Sequence, residues 1–138
     1  YGKGRMIDTL YKKTVRQKLL QPCFLVGHPI EVSPLAKCDP KNPRRTLRFQ
    51  PIAAKSELGN GFAELNDPID QRARFEEQMK LRDAGDKEGM MLDEDFIQAL
   101  EYGMPPACGF GMSERFFAIL MNRSIRETVI FPPMKDKE

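Results

Sequence analysis

The sequence has few cysteines, a single histidine and no long apolar run, and each shortage excludes a class of protein. Its three cysteines lie too far apart for a CxxC metal or redox motif, and their odd number favours a reducing cytosol over a disulfide framework. The lone His28 has no cysteine, serine or second histidine at a motif spacing, so zinc and serine-hydrolase chemistry lack support and a structural role is predicted. No segment is apolar for long enough to span a membrane, and we expect a cytoplasmic protein.

Length and composition are those of an ordinary globular domain. The 138 residues are enough to bury a core, and we expect a single domain over residues 1–138. A net charge of +2, from 22 basic and 20 acidic residues mixed along the chain, creates no one-sign field, so charge alone does not indicate an RNA partner. Position 1 is not methionine, from which we expect that an upstream portion exists.

The first third of the chain predicts one helix, one strand and a long loop. Apolar residues recur at helical spacing over residues 6–20, and Gln21-Pro22 ends this helix before a short buried strand at Cys23–Val26. Ile30–Val32 is a candidate short strand within an irregular return. The polar residues 37–45 include two prolines and predict an exposed, mobile loop.

The remainder predicts a hairpin followed by helices and one more strand. Residues 46–53 and 57–64 form two antiparallel strands joined by a small turn. A charged helix then opens at Asp67-Pro68 and ends before Gly85. Three elements come next: a helix over 93–102 capped by Asp93, a strand over 107–112, and a helix over 113–121 capped by Ser113. An apolar run at 128–131 precedes a charged tail after Pro133. This order predicts an α+β fold with a mainly antiparallel sheet.

Two carboxylates and an amide lie within the second strand of the hairpin. Because side chains alternate along a strand, Asn60, Phe62 and Glu64 share one face and could together hold an ammonium group. Gly59 and Gly61 lie on the opposite face, where the missing side chains let a ligand or another backbone approach. A simpler interpretation stays open: the glycines mark a bulge, Phe62 is core and Glu64 is solvated.

A second candidate site is a glycine-spaced strand that leads directly into a helix. Gly109 and Gly111 permit close approach, the helix N-terminus favours negative charge, and Arg115 offers a planar fork suited to phosphate or to stacking on a base. The pattern fits a nucleotide, although Arg115 could equally form a surface ion pair. It is neither a P-loop nor a dinucleotide fingerprint, because the required lysine, glycine count and βαβ context are absent.

Taken in order, these motifs resemble the class II lysyl-tRNA synthetases. The segments that carry the resemblance are residues 29–37, 57–72, 92–96, 99–106 and 109–115, and the similarity extends over about residues 21–134. The resemblance implies an α+β fold: the C-terminal half of the antiparallel class II synthetase sheet with flanking helices. It also implies that the first motif, which forms a homodimer, the second motif with its ATP-binding arginine, and the anticodon-binding barrel all lie upstream of these residues.

The resemblance assigns a lysine pocket. Asn60, Phe62 and Glu64 match positions that bind the substrate lysine in this family, with Glu64 facing the side-chain ammonium. This agrees with the shared strand face that alternation predicts for the three residues. Strict alternation would put Glu57 on the other face, so a bulge near Gly59 is needed if both groups reach one site.

The resemblance also assigns an ATP and magnesium site. Glu57 matches a carboxylate that binds Mg2+ bridging the ATP phosphates, Arg115 matches the arginine that clamps ATP, and Gly109 and Gly111 match its close-approach glycines. Glu57 and Arg115 would be the catalytic residues. The second acidic metal ligand, seven positions before Glu57, is Gln50 here, and an amide is a poorer Mg2+ ligand than a carboxylate.

The implied activity is that of a lysine-tRNA ligase, which activates lysine with ATP and transfers it to tRNA. Two other functions remain open on the sequence. One is a paralogue that attaches lysine to a protein, and the other is a non-catalytic module that binds an amino acid or a nucleotide. Because half of the ATP clamp would lie upstream, we expect residues 1–138 alone to be inactive.

Overall fold

A five-stranded antiparallel sheet carries most of the candidate site residues. The computed structural model describes residues 2–132 and has seven strands: β1 (Cys23–Val26), β2 (Cys38–Asp39), β3 (Asn42–Thr46), β4 (Arg48–Ala53), β5 (Ser56–Glu57), β6 (Gly59–Ala63) and β7 (Cys108–Met112). The main sheet has the order β1-β4-β6-β7, with β5 also paired to β4, while β2 and β3 form a separate hairpin. All of these pairings are antiparallel. The predicted α+β fold is confirmed.

Five α-helices accompany the sheet: α1 (Lys3–Leu10), α2 (Pro68–Asp83), α3 (Glu94–Glu101), α4 (Glu114–Met121) and α5 (Ile125–Thr128). The predicted helix over residues 6–20 is confirmed but irregular, because α1 continues into a π-helical turn at Tyr11–Val15 and a 3-10 turn at Arg16–Lys18. A π-helical turn widens the backbone ring and is frequent at functional sites.

The predicted capping residues fix three of the helices. The Asp67 side chain accepts hydrogen bonds from the backbone N–H groups at positions 69 and 70, at 2.9 and 3.3 Å. Asp93 accepts one from Phe96 at 2.9 Å, and Ser113 accepts one from Arg115 at 3.3 Å. Each bond satisfies an orphan donor in the first helical turn. The positive φ of Gly85, 97°, follows the end of α2.

The prediction that the strand Cys23–Val26 is buried is wrong, because three of its four residues are exposed. Two predictions for residues 30–45 are also wrong. Ile30–Val32 is a 3-10 turn and not a strand, since its backbone bonds are local: Ser33 N–H donates to the carbonyl of Ile30 at 3.1 Å. Residues 37–45 are not a loop, because they contain β2 and most of β3. The side chain of Asp39 accepts from the Lys41 N–H at 2.9 Å and so closes the turn between these strands.

Helix α2 is attached to the segment before β2 through polar side chains. Gln71, Arg74 and Gln78 are buried and donate to the carbonyls of Pro34, Ala36 and Glu31 at 3.1, 2.8 and 2.9 Å, respectively. Each bond satisfies a backbone carbonyl of this irregular segment. The apolar core around them consists of Ala36, Ile52, Leu58, Leu65, Phe75, Ile97, Leu100 and Ala118.

The C-terminal part is helical up to Thr128, and residues 129–132 are irregular. The apolar run at 128–131 starts at the last residue of α5, whose Ser124 and Glu127 form a capping box. The charged tail predicted after Pro133 lies outside the described residues. Within residues 2–132 no helix is both long and apolar enough to cross a lipid bilayer.

Candidate active site

A bulge between β5 and β6 brings Glu57 onto the same sheet face as Asn60. Glu57 pairs with Ile52, and Gly61 pairs with Phe49. Between these two pairs the β5–β6 segment advances by four residues, whereas β4 advances by three. One extra residue reverses the alternation at that point. The bulge that the sequence requires near Gly59 is therefore present.

Glu57 stands in a chain of polar side chains on this face. Its Oε1 accepts a hydrogen bond from Arg16 Nη1 at 3.0 Å, and its Oε2 accepts one from Gln50 Nε2 at 3.4 Å. The Oε1 of Gln50 lies 2.9 Å from His28 Nε2. The strand hairpin thus places Gln50 beside Glu57, as the sequence predicts, and both ends of its amide are engaged.

Burial determines the charge state of His28. Only 7% of the residue is exposed, and desolvation lowers the pKa of its imidazole below the ordinary value, with the Gln50 hydrogen bond opposing the shift. His28 is therefore neutral at neutral pH. Its Nδ1 has no hydrogen-bond partner among the described residues, and neither does the Nε of Arg16.

A polar cavity of about 270 Å³ lies beside these hydrogen-bonded side chains, between α1 and the sheet. His28, Gln50 and Glu57 line it from the sheet side, and Asp8 and Lys12 line it from the helix side. The cavity therefore contains both signs of charge. Among residues 2–132 no three acidic, histidine or cysteine side chains converge to hold a metal ion by themselves.

Asn60 and Phe62 line a second cavity, of about 150 Å³. Arg48 is one of four residues that line both cavities. Its Nε donates to Asn60 Oδ1 at 2.8 Å, while its Nη1 donates to the carbonyl of Val32 at 2.9 Å and to Ser33 Oγ at 3.0 Å. The side-chain oxygen of Asn60 thus already accepts a hydrogen bond, whereas the NH2 group of the same amide remains available to donate to a ligand.

Glu64 lies on the same face at the far end of β6. A Cβ added at Gly109 would come within 2.6 Å of Glu64 Oε1, so the glycine makes room for this carboxylate. A Cβ at Gly111 would have only the carbonyl of Asn60 near it, at 3.9 Å, so the space above Gly111 is open. The predicted grouping of Asn60, Phe62 and Glu64 agrees with these positions.

The opposite face of β6 is filled by aromatic rings and leaves no room for a ligand. A Cβ at Gly59 would come within 2.7 Å of the Phe110 ring, and one at Gly61 would come equally close to the Phe49 ring. The Phe49 and Phe110 rings stack with centroids 5.7 Å apart. These two glycines therefore make room for side chains of the neighbouring strands.

Arg115 lies in the first turn of α4, which begins at Glu114 directly after the Ser113 cap. The Ser113 N–H donates to the carbonyl of Leu58 at 2.9 Å and so attaches the helix start to the bulge. The Arg115 side chain is exposed, and within residues 2–132 its guanidinium has no hydrogen-bond or ion-pair partner. An exposed planar cation in the first turn of a helix is suited to an anionic ligand.

Residues 6–135 match the family of class II tRNA synthetases (D, K and N). The chain belongs to this family. Similar proteins include the lysine–tRNA ligase of Moorella thermoacetica, 51% identical over 138 residues, which cover 99% of this chain and 28% of that enzyme. The lysine–tRNA ligase of Bacillus subtilis is 48% identical, and the match covers 97% of this chain and 27% of that enzyme. The lysine–tRNA ligase of Mesomycoplasma hyopneumoniae is 46% identical, and the match covers 100% of this chain and 28% of that enzyme. The chain thus spans little more than a quarter of the length of these synthetases.

Sequence reasoning misses Arg48 and Arg16, which hydrogen-bond to the candidate residues Asn60 and Glu57, and it misses the contact of His28 with Gln50. Arg48 shares the face of Gln50 two positions away, and that alternation is the one signal that could have found it. Arg16 carries no such signal, because its contact with Glu57 depends on the irregular turns that extend α1.

Proposed function

We propose that this chain forms part of a lysine-tRNA ligase and supplies most of the lysine pocket and one side of the ATP site. The observation that carries the proposal is the shared face of Glu57, Asn60, Phe62 and Glu64, which depends on the bulge between β5 and β6. The similar proteins, which are lysine–tRNA ligases at 46–51% identity, agree with it. ATP, lysine and tRNA are the proposed substrates, and the complete enzyme is proposed to be a homodimer.

The lysine pocket would use its polar groups for opposite ends of the substrate. Asn60 has its oxygen bonded to Arg48, so its amino group would donate to an acceptor, such as a carboxylate oxygen of the amino acid. Glu64 only accepts when ionised and would face the ammonium group. Phe62 would cover the aliphatic part of lysine between the two.

Glu57 would contact Mg2+ brought with ATP. Mg2+ in nucleotide sites keeps several waters and uses one or two protein carboxylates together with phosphate oxygens, and Glu57 would be one such carboxylate. The ion, when bound, would neutralise charge on the phosphates. The remaining proposed contacts are backbone approach at Gly109 and Gly111 and the Arg115 guanidinium on the nucleotide.

These residues bind and orient, and none of them is required as a nucleophile. In the proposed reaction the lysine carboxylate attacks the α-phosphate of ATP, which forms lysyl-adenylate and releases pyrophosphate, and the lysyl group then passes to the terminal ribose of tRNA. Such a step depends on alignment of the two substrates and on charge neutralisation. Asn60 and Glu64 would fix one reactant, and Glu57 and Arg115 the other.

A chimera tests the proposal. Residues 1–138 would replace the matching segment of the Moorella thermoacetica lysine–tRNA ligase, which is 51% identical. We expect lysine-dependent pyrophosphate exchange and charging of tRNA by the chimera, and neither activity from the 138-residue chain by itself. A folded chimera that exchanges pyrophosphate without charging tRNA would favour a protein-lysylating enzyme. A folded chimera without exchange would favour a binding module and contradict the proposal.

The Glu64→Gln variant of the chimera tests the pocket itself. Because the ammonium would lose its buried counter-charge, kcat/KM for lysine should fall by the equivalent of roughly 2–5 kcal/mol. Glu77→Gln is a matched control, since Glu77 is an exposed residue of α2 that pairs with Lys80. Unchanged kcat/KM in Glu64→Gln would remove Glu64 from the lysine pocket.

A further inference from the structure

The hydrogen bonds between Glu57, Gln50 and His28 determine which group is the donor in each bond. An ionised carboxylate only accepts, so Gln50 must turn its Nε2 toward Glu57 Oε2, which lies 3.4 Å away. Gln50 Oε1 then faces His28 Nε2 at 2.9 Å. Because the amide oxygen also only accepts, His28 must donate to it through a proton on Nε2.

The surroundings of His28 fit this tautomer. Its Nδ1 is buried without a hydrogen-bond partner in the described part of the chain. A buried acceptor without a partner is tolerated better than a buried N–H without one, so the proton belongs on Nε2. The backbone carbonyl of His28 is also held, since Thr46 donates to it through its N–H at 2.9 Å and its Oγ1 at 3.2 Å.

We propose that His28 is a positioning residue, which sets the direction of the Gln50 amide and through it holds the Glu57 carboxylate. A neutral donor would thus occupy the position where family resemblance implies an acidic metal ligand. The Gln50 oxygen faces His28 and the Gln50 amide nitrogen faces Glu57, so the proposed metal contact is left to the Glu57 carboxylate. The statement about the metal rests on the proposed function, whereas the hydrogen bonds that join His28, Gln50 and Glu57 do not.

The tautomer can be measured directly because the chain contains one histidine. With isotopic labels on the histidine nitrogens, NMR of the folded chain at neutral pH should show a neutral ring protonated at Nε2. Gln50→Leu should expose that proton to faster exchange and mix the two tautomers. Gln71→Leu is the matched control, because Gln71 is also a buried glutamine but donates to Pro34. A ring protonated at Nδ1 in the unsubstituted chain would overturn the proposal without any variant.

The chimera tests whether the hydrogen bonds between His28, Gln50 and Glu57 affect the response of the enzyme to Mg2+. In His28→Phe the Mg2+ concentration for half-maximal adenylate formation should rise by roughly three- to tenfold, the effect of one lost hydrogen bond, with the lysine KM unchanged. His28→Gln should restore it, because its amide can present an N–H toward Gln50. An unshifted Mg2+ midpoint in a folded His28→Phe chimera would show that His28 does not hold Glu57. If the parent chimera makes no lysyl-adenylate, the proposed function fails, while the NMR result still decides the tautomer.

Discussion

At the scale of the residue, Gln50 joins His28 to Glu57 without adding charge. In Gln50→Glu a second carboxylate would stand about where Nε2 lies, 3.4 Å from Glu57 Oε2. Two carboxylates at that distance repel, so the variant should unfold at a lower temperature in metal-free buffer. Mg2+ bound between the two acids would reverse the effect, because a hard cation prefers carboxylate oxygens. Thermal unfolding of both chains with MgCl2, against NaCl of equal ionic strength, measures this difference.

The control for that prediction is a carboxylate buried elsewhere. Gln71→Glu should also lower the unfolding temperature, since an unpaired charge would be buried, but Mg2+ should not restore it. Equal responses of the two variants to Mg2+ would show that position 50 does not face a metal-binding region. Position 50 would then be only a buried polar position.

The same residues show which part of the site the sequence predicts. Asn60 and Phe62 follow from alternation within one strand, a local property of the backbone. The need for a bulge near Gly59 follows from the requirement that Glu57 and Asn60 serve one site. The contacts of Arg48 and His28 do not follow, because each joins side chains that only the strand pairing brings together.

At the scale of the element, prediction from sequence succeeds where a local side-chain hydrogen bond fixes the start of a helix. Asp67, Asp93 and Ser113 cap their helices as expected, since each side chain reaches an amide two or three residues ahead. It fails at residues 37–45, where two prolines and several charges suggest a loop. There the backbone bonds are supplied by long-range pairing, such as that of Leu47 N–H with the carbonyl of Lys37 at 2.8 Å.

The turn between β4 and β5 gives a prediction at this scale. Ala54 and Lys55 have φ values of 49° and 65°, a left-handed conformation that side chains disfavour. Their N–H groups donate to the carbonyls of Leu20 and Leu19 at 3.0 and 2.8 Å, which hold the turn in place. The double variant Ala54→Asn with Lys55→Gly should therefore raise the free energy of unfolding by about 1 kcal/mol, since Asn-Gly suits this turn.

Urea unfolding of the variant and the parent chain measures that gain. Ser56→Gly is the matched control, because residue 56 is a strand residue without positive φ, and glycine there should lower stability. No gain in the double variant would mean that the turn relaxes in solution to a conformation without strain.

At the scale of the whole molecule, one face of the main sheet is apolar and exposed. Val26 lies opposite Phe49, and the Phe24 and Phe110 rings lie 6.1 and 5.7 Å from the Phe49 ring. Phe24, Val26 and Phe110 are 69%, 66% and 51% exposed. Contiguous apolar surface of this kind marks an interface or an aggregation surface. Since the chain spans 28% of the length of a similar ligase, we expect the rest of such an enzyme to cover this face.

The isolated chain should consequently self-associate through this face. The double variant Phe24→Thr with Val26→Thr keeps residues that suit a strand and removes apolar surface, so sedimentation velocity should show a larger monomer fraction than for the parent. Ile69→Thr is the control, because Ile69 is 81% exposed in the first turn of α2, away from the sheet. In the chimera, where the face should be covered, the same double variant should lower the unfolding temperature more than in the isolated chain. A monomeric parent chain, or equal losses in both settings, would show that this face has no partner.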